Sequence, residues 1–287
     1  MVLTPLTPLT PLTRAPDTGA RLFLRTVIAR AYPRVIGQQR EKAWIFFETF
    51  LPFVAMVGYV YVYRAMRAPE DYIGFVVMGG AMTAFWMNVM WSMSAQLYWE
   101  KETGNLALYI MAPNSLTAVL LGMAVGGLLA TTLRALIILV LGTWLFSIPF
   151  AVSSFAQLFT VFGLTMVALY GLGMLLASVF LLYGREAWQI VTTLQEPIYF
   201  VSGFYFPVRS FGFAISLAVS LLPLTLGLDA MRQLVFKSGP TLGFLPVGTE
   251  IVLLAGLCIF FLAAAKIWLD KMERKAVEEG TLTDRRR

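Results

Sequence analysis

Ionisable side chains are scarce in this chain, and their positions narrow the chemistry they can do. Glu48, Arg134 and Glu196 lie inside long apolar stretches, and Glu250 opens another. A charge at mid-bilayer costs on the order of 2.5–3.5 kcal/mol on insertion scales, so each must pair or face a cavity. Arg134 is the deepest, with Glu196 or Glu48 as candidate partners; the chemistry on offer is a structural ion pair or contact with a charged substrate group. A second concentration is the block YWEKETGNLALYIMAPNS, Tyr98–Ser115, where Glu100, Lys101 and Glu102 are consecutive and Gly104 allows a sharp turn. Charges of this kind suit pairing across a wet interface, which gives specificity more than affinity. With no histidine in the chain, His-based triads and His-ligated zinc are excluded. The single cysteine, Cys258, lies in an apolar run and forms no intramolecular disulfide. The GxxxxGK(S/T), GxSxG and HExxH patterns are absent. A nucleophile and its base cannot be assembled, which leaves transport or scaffolding, with any energy supplied by another polypeptide.

The elements that must position these residues are membrane helices. Hydrophobic residues make up 59% of the chain, charged ones only 13%, and mean hydropathy is +0.75. A soluble domain carries roughly 25% charged residues, so the chain is short of charge for a globular surface and reads as an all-α polytopic membrane protein. Net charge +6 does not point to nucleic acid, because the basic residues fall mostly outside the apolar segments. A crossing helix needs about 20 apolar residues. Six segments qualify: Trp44–Tyr63, Tyr72–Met93, Leu116–Phe146, Leu158–Leu182, Trp188–Phe206 and Ile251–Leu269. Six crossings put both termini on one side. That side holds Arg14, Arg21, Arg25, Arg30, Arg34, Arg40, Lys42, Lys101, Arg185, Lys271, Arg274, Lys275 and Arg285 to Arg287; the other holds Arg64, Arg67, Arg209, Arg232 and Lys237. The excess places the termini, and the Glu100 block with them, in the cytoplasm of a cell whose inner (plasma) membrane carries the protein.

Residues 1–19 form a flexible leader built on TPLTPLTPLT, where proline at every third position favours an extended arm. Residues 270–287 form a basic tail. Between Ala20 and Val35, Arg21, Arg25, Arg30 and Arg34 alternate with apolar residues, as in a helix lying in the membrane interface with arginines reaching lipid phosphates. Pro33 is expected to end or kink it. The fifth segment does not end cleanly: Glu196–Leu234 contains Pro197, Gly203, Pro207, Gly212 and Pro223, with an apolar run, Phe211–Leu222, too short to cross. A re-entrant hairpin, Phe206–Pro223, fits, since irregular backbone at membrane depth survives only inside protein or beside water. A surface amphipathic helix, Leu224–Phe236, would then turn Asp229 and Arg232 to water. The glycines of the third and fourth segments allow close helix packing. Tyr59, Tyr61, Tyr63, Tyr98 and Trp99 read as interfacial belts.

These motifs resemble the type-2 ABC exporter permeases. In the first loop Glu100, Glu102, Gly104, Leu106 and Pro113 match the family pattern, while Asn105 stands where a small hydroxyl residue is usual and Ala107 where an acidic one is. In SGFYFP and PLTLGLDAMR, Ser202, Gly203, Phe206, Pro207, Pro223, Leu224, Thr225, Asp229 and Arg232 match a second signature. The resemblance runs from Ala20 to Leu269. It implies that Tyr98, Glu100, Lys101, Glu102, Gly104 and Leu106 form a coupling helix for a separate ATPase subunit, which would hold the ATP and magnesium; no cofactor is expected on this chain. It implies a second permease copy or paralogue, membrane lipids as surroundings, and outward movement of a hydrophobic or amphipathic cargo. The second signature would build an outer gate. The cargo path is expected between spans two and five, lined by MTAFWMNVMWSM, Met82–Met93. The rival reading is an ion-coupled transporter or channel using Arg134 with Glu196; a scaffold and an intramembrane protease fit the residues less well.

Overall fold

The structure is a computed structural model, and it describes residues 19–40, 42–112, 115–183 and 185–278. The Thr-Pro-Leu leader, Pro113 and the end of the basic tail lie outside the described residues. Among the described residues there is no strand. The long helices are α1 (Gly19–Arg40), α2 (Lys42–Ala65), α3 (Glu70–Met87), α6 (Leu116–Phe146), α7 (Phe155–Tyr183) and α12 (Val247–Glu278). A π-helical segment, Asn88–Met93, extends α3 into α4 (Gln96–Glu102), which turns into α5 (Asn105–Met111). Later come α8 (Arg185–Val201), α9 (Phe213–Val219), α10 (Pro223–Val235) and the short α11 (Gly239–Leu242). Among the described residues five stretches are long and apolar enough to cross a bilayer: Ile45–Ala65, Glu70–Glu102, Leu116–Phe146, Phe155–Leu181 and Val247–Met272. Counting the bent pair α9 and α10, which meet at 113°, as one broken span raises the number to six. The protein is a multi-pass, all-α membrane protein.

The α3 ribbon is the axis of the fold. Glu70 and Asp71 occupy its first turn, where negative charge favours a helix N-terminus, and every residue from Ile73 to Trp86 is buried. An all-round apolar helix belongs in the interior, and α2, α6, α7 and α10 surround this one. Gly79 lets the chain after α8 come in: a Cβ there would sit 1.6 Å from the Phe204 carbonyl oxygen. The loop between α6 and α7 closes the same end. Ala151 N and Ser153 N donate to the carbonyls of Val235 and Leu234, each at 2.8 Å, satisfying the orphan acceptors at the end of α10.

Three expectations change here. The fifth segment, Trp188–Phe206, is a 17-residue helix ending at Val201, because Gly203 adopts φ +80° and an irregular turn carries the chain to Pro207. Helix α10 is not a surface helix: every residue from Pro223 to Val235 is buried, Asp229 and Arg232 included. Its polar face meets protein groups rather than water. Helix α1 runs through Pro33 to Arg40; the one backbone bond that proline removes does not stop it when α6 supports its length. That support is close, because a Cβ on Gly122 would lie 2.6 Å from Val27 O, and one on Gly126 2.8 Å from Ala31 O.

Candidate functional site

The charged block and the second signature occupy opposite ends of the α3 ribbon. At the far end, Asn88, Ser92, Gln96 and Glu100 recur every fourth residue. In an α-helix each four-residue step overshoots a turn by about 40°, so four such residues would wind away from a common face. The π segment, bonded i to i+5 with Ser94 N reaching Val89 O at 3.0 Å, holds more chain per turn and takes back part of that drift. Each of the four then finds a partner on a neighbouring helix. Tyr170 of α7 donates to Asn88 Oδ1 at 3.1 Å. Arg34 of α1 donates to Gln96 Oε1 at 2.8 Å and also to the Ser92 hydroxyl. Arg30 forms an ion pair with Glu100. Burial holds the Arg34 guanidinium below its usual value, at about 10, so it remains charged at neutral pH.

Glu100 is buried at 7% exposure. Besides Arg30 it accepts from Gln96 Nε2 at 2.9 Å and Asn105 Nδ2 at 3.1 Å. The expectation of a solvated Glu100 is thereby corrected: its carboxylate is spent inside the chain, holding α4 against α1. Asn105, which departs from the family pattern, is one of its donors. Gly104 takes φ +80° and turns α4 into α5, as its type suggested. Leu106 is buried, and Arg30 lies 5.0 Å from the Tyr109 ring centroid. Burial raises the Tyr109 hydroxyl above its ordinary pKa, with Arg30 opposing. Lys101 and Glu102 stay half-exposed. Three large apolar side chains of the block face outward, Trp99 at 51% exposure, Leu108 at 60% and Met111 at 74%, beside the exposed Thr103 and Asn105. Reading charge alone missed Leu108 and Met111; their signal was apolar side chains continuing past Gly104.

The expectation for two arginines of α1, Arg30 and Arg34, is corrected likewise. Arg30 and Arg34 reach polar side chains of the α3–α4 ribbon, not lipid phosphates. Their partners lie some sixty to seventy positions away.

At the near end Arg232 is fully enclosed and donates to Phe204 O at 2.7 Å, to Phe75 O at 2.8 Å and to Gly203 O. Its neighbour Asp229 accepts from Phe244 N at 2.7 Å and Gln233 Nε2 at 3.1 Å. The two signature charges therefore brace different loops from one helix. Pro223 opens that helix at N1, where its missing N–H costs nothing, and Leu224 is buried beside it. Tyr63 donates to Tyr205 O at 3.0 Å, and the rings of Tyr59 and Tyr205 stack at 4.0 Å. Ser202 is buried, Phe206 packs edge-on to Tyr59, and Pro207 starts a 3₁₀ turn, Val208–Phe211.

Between the two ends Arg134 forms its ion pair with Glu48 of α2. Glu196 lies exposed on α8, so the alternative pairing is not the one formed. The stretch expected to line a cargo path, Met82–Met93, lies inside the single chain. Met82, Phe85, Trp86, Met90 and Met93 are each at most 5% exposed and form core, because the ribbon that carries them is central. Among the described residues no group of three or more acidic or cysteine side chains could hold a metal ion.

The two ends of this ribbon fall within one family profile. Residues 24–236 match the model of the ABC-2 type transporter family, and the chain belongs to that family. It is similar, at 28% identity over 169 residues, to proteins named "Probable multidrug ABC transporter permease YbhR" from Escherichia coli strain K12 and from Escherichia coli O157:H7. The match covers 58% of this chain and 45% of each relative, so the chain spans about half the length of the curated relatives it matches.

Proposed function

We propose that this chain is the membrane subunit of an ATP-binding-cassette exporter, and that α4 and α5 dock a separate ATPase subunit carrying ATP and magnesium. One observation carries the reading. The block keeps its buried charge, Glu100, for an internal brace and turns Trp99, Leu108 and Met111 outward beside Lys101 and Glu102. Large exposed apolar side chains interspersed with charge are the composition of a docking patch. Movement of the ATPase would reach α1 through Arg30 and the membrane core through the ribbon, switching access between two states. Both termini and the Glu100 end would lie in the cytoplasm, and the Arg232 end would form the outer gate.

A second copy or a paralogue would cover α2, where Phe46, Phe47, Phe50, Leu51 and Val54 are exposed, together with the Glu196 face of α8. A carboxylate there would be costly against lipid and tolerable against a partner or a water path. The cargo, hydrophobic or amphipathic, would pass along that shared face and leave outward. On this reading the path runs along the face shared by two copies, outside the single chain.

Leu108→Glu combined with Met111→Glu is expected to weaken co-purification of the ATPase subunit by tenfold or more, while the permease still elutes as a single folded species. Undiminished co-purification would place the docking surface elsewhere.

A further inference from the structure

A cavity of about 490 Å³ lies between α3, α6, α7 and α10, within the range of roughly 300–1,000 Å³ found for small-molecule sites. Its wall is hydrocarbon: Met82 and Phe85 come from α3, Ala135 from α6, Phe162 from α7 and Met231 from α10. The hydroxyl on this wall, Thr132 Oγ1, donates within its own helix to Leu128 O at 2.7 Å. Such a space does not hold ordered water, which needs two to four polar partners. Its rim includes Leu136, Phe150 and Phe159, exposed by 50%, 41% and 70%. Leu136 and Phe159 stand on the outward faces of two membrane-crossing helices, so the opening is continuous with the surface that faces lipid tails.

We propose that this cavity binds one acyl chain of a bilayer phospholipid, held as a resident lipid and not as cargo. Lipid tails are as apolar as the wall, so no hydrophobic driving force separates a tail in the cavity from one in the bilayer. Contact decides. An empty wall forfeits dispersion attraction on one side, and a tail restores it. Met82 and Met231, with flexible thioethers, can follow the irregular shape of a chain. The cavity lining holds no charged side chain, so the site selects a tail and leaves the headgroup unspecified. A tail there would wedge α10, the helix of Arg232, against α6 and α7.

The test uses the full chain in vesicles of phosphatidylcholine and phosphatidylglycerol doped with a phospholipid carrying a diazirine on its acyl chain, with no ATPase present. After irradiation, adducts are mapped by mass spectrometry. Adducts are expected on Met82 or Phe85, at 5% and 2% exposure, as well as on annular positions such as Leu133 and Val140. Ala135→Trp should lower the inner adducts at least fivefold and leave the annular ones; Ala81→Leu, a smaller filling of the same wall, serves should the tryptophan disturb folding. Adducts confined to the annular positions in the wild type, as for a dry cavity or one covered by a second copy, would overturn the proposal. So would inner adducts unchanged in a folded filling variant. Because nothing is transported in this experiment, its result stands apart from the exporter reading.

Discussion

Arg232→Met is expected to strip the donors from the carbonyls of Gly203 and Phe204, two acceptors in an irregular turn with no helical partner of their own. Phe75 O keeps its place in α3, so two orphaned acceptors set the cost. At about 1–3 kcal/mol for each buried group left unsatisfied, the loss is on the order of 2–6 kcal/mol. For a chain of this size that corresponds to a fall in melting temperature of roughly 5–20 °C, read by size-exclusion survival after heating in detergent. Methionine keeps most of the volume, so cavity formation adds little; the lost charge beside Asp229 and over the Phe75 ring adds to the lost hydrogen bonds. Arg232→Lys is expected to fall in between, because an ammonium cannot spread donors over three carbonyls as the planar guanidinium does. A methionine variant that melts with the wild type would show that the SGFYFP turn holds itself in place.

Glu100→Arg is the second change with a large expected effect. It sets two guanidinium groups against each other where α1 meets α4, takes the acceptor from Gln96 Nε2 and leaves Asn105 Nδ2 the Thr103 hydroxyl alone. The Arg30 side chain is 27% exposed and Glu100 8%, so solvent screens part of the pair and the cost is about 1–3 kcal/mol. The larger consequence falls on coupling. With α4 released from α1, ATPase activity of the complex should persist while transport falls tenfold or more. Exchanging the charges, Arg30→Glu with Glu100→Arg, should recover a good part of the transport. A swap that recovers none would assign the defect to the other Glu100 contacts, and full transport in the single variant would remove the brace from the coupling route.

Much of this was legible in one sequence. The five long spans differ from the expected boundaries by only a few residues at most ends, because twenty apolar residues bounded by charge admit few readings. Gly104, as a turn, was legible because only its backbone freedom mattered. The errors share a cause. The polar residues of α10, Asp229 and Arg232, gave the pattern of a helix with one wet face, but periodicity reports that a face is polar and not what covers it. Carbonyls of an irregular turn took the place of water. Arg30 and Arg34 were read toward lipid for the same reason, since a basic helix beside a membrane does not disclose acceptors that fold back from a distant segment. The spacing of Asn88, Ser92, Gln96 and Glu100 is present in the chain, but a four-residue repeat drifts around an α-helix, and only the π segment makes that spacing a face.

Solute movement by this chain is expected only when an ATPase acts on its Glu100 end. The measurement is uptake of a fluorescent hydrophobic cation into sealed inside-out vesicles holding the chain, with and without its ATPase subunit and ATP. Accumulation against a gradient is predicted only when both are present, and with Leu108→Glu and Met111→Glu in the permease it should fall to background. Accumulation by the chain alone, following an imposed ion gradient, would contradict the account.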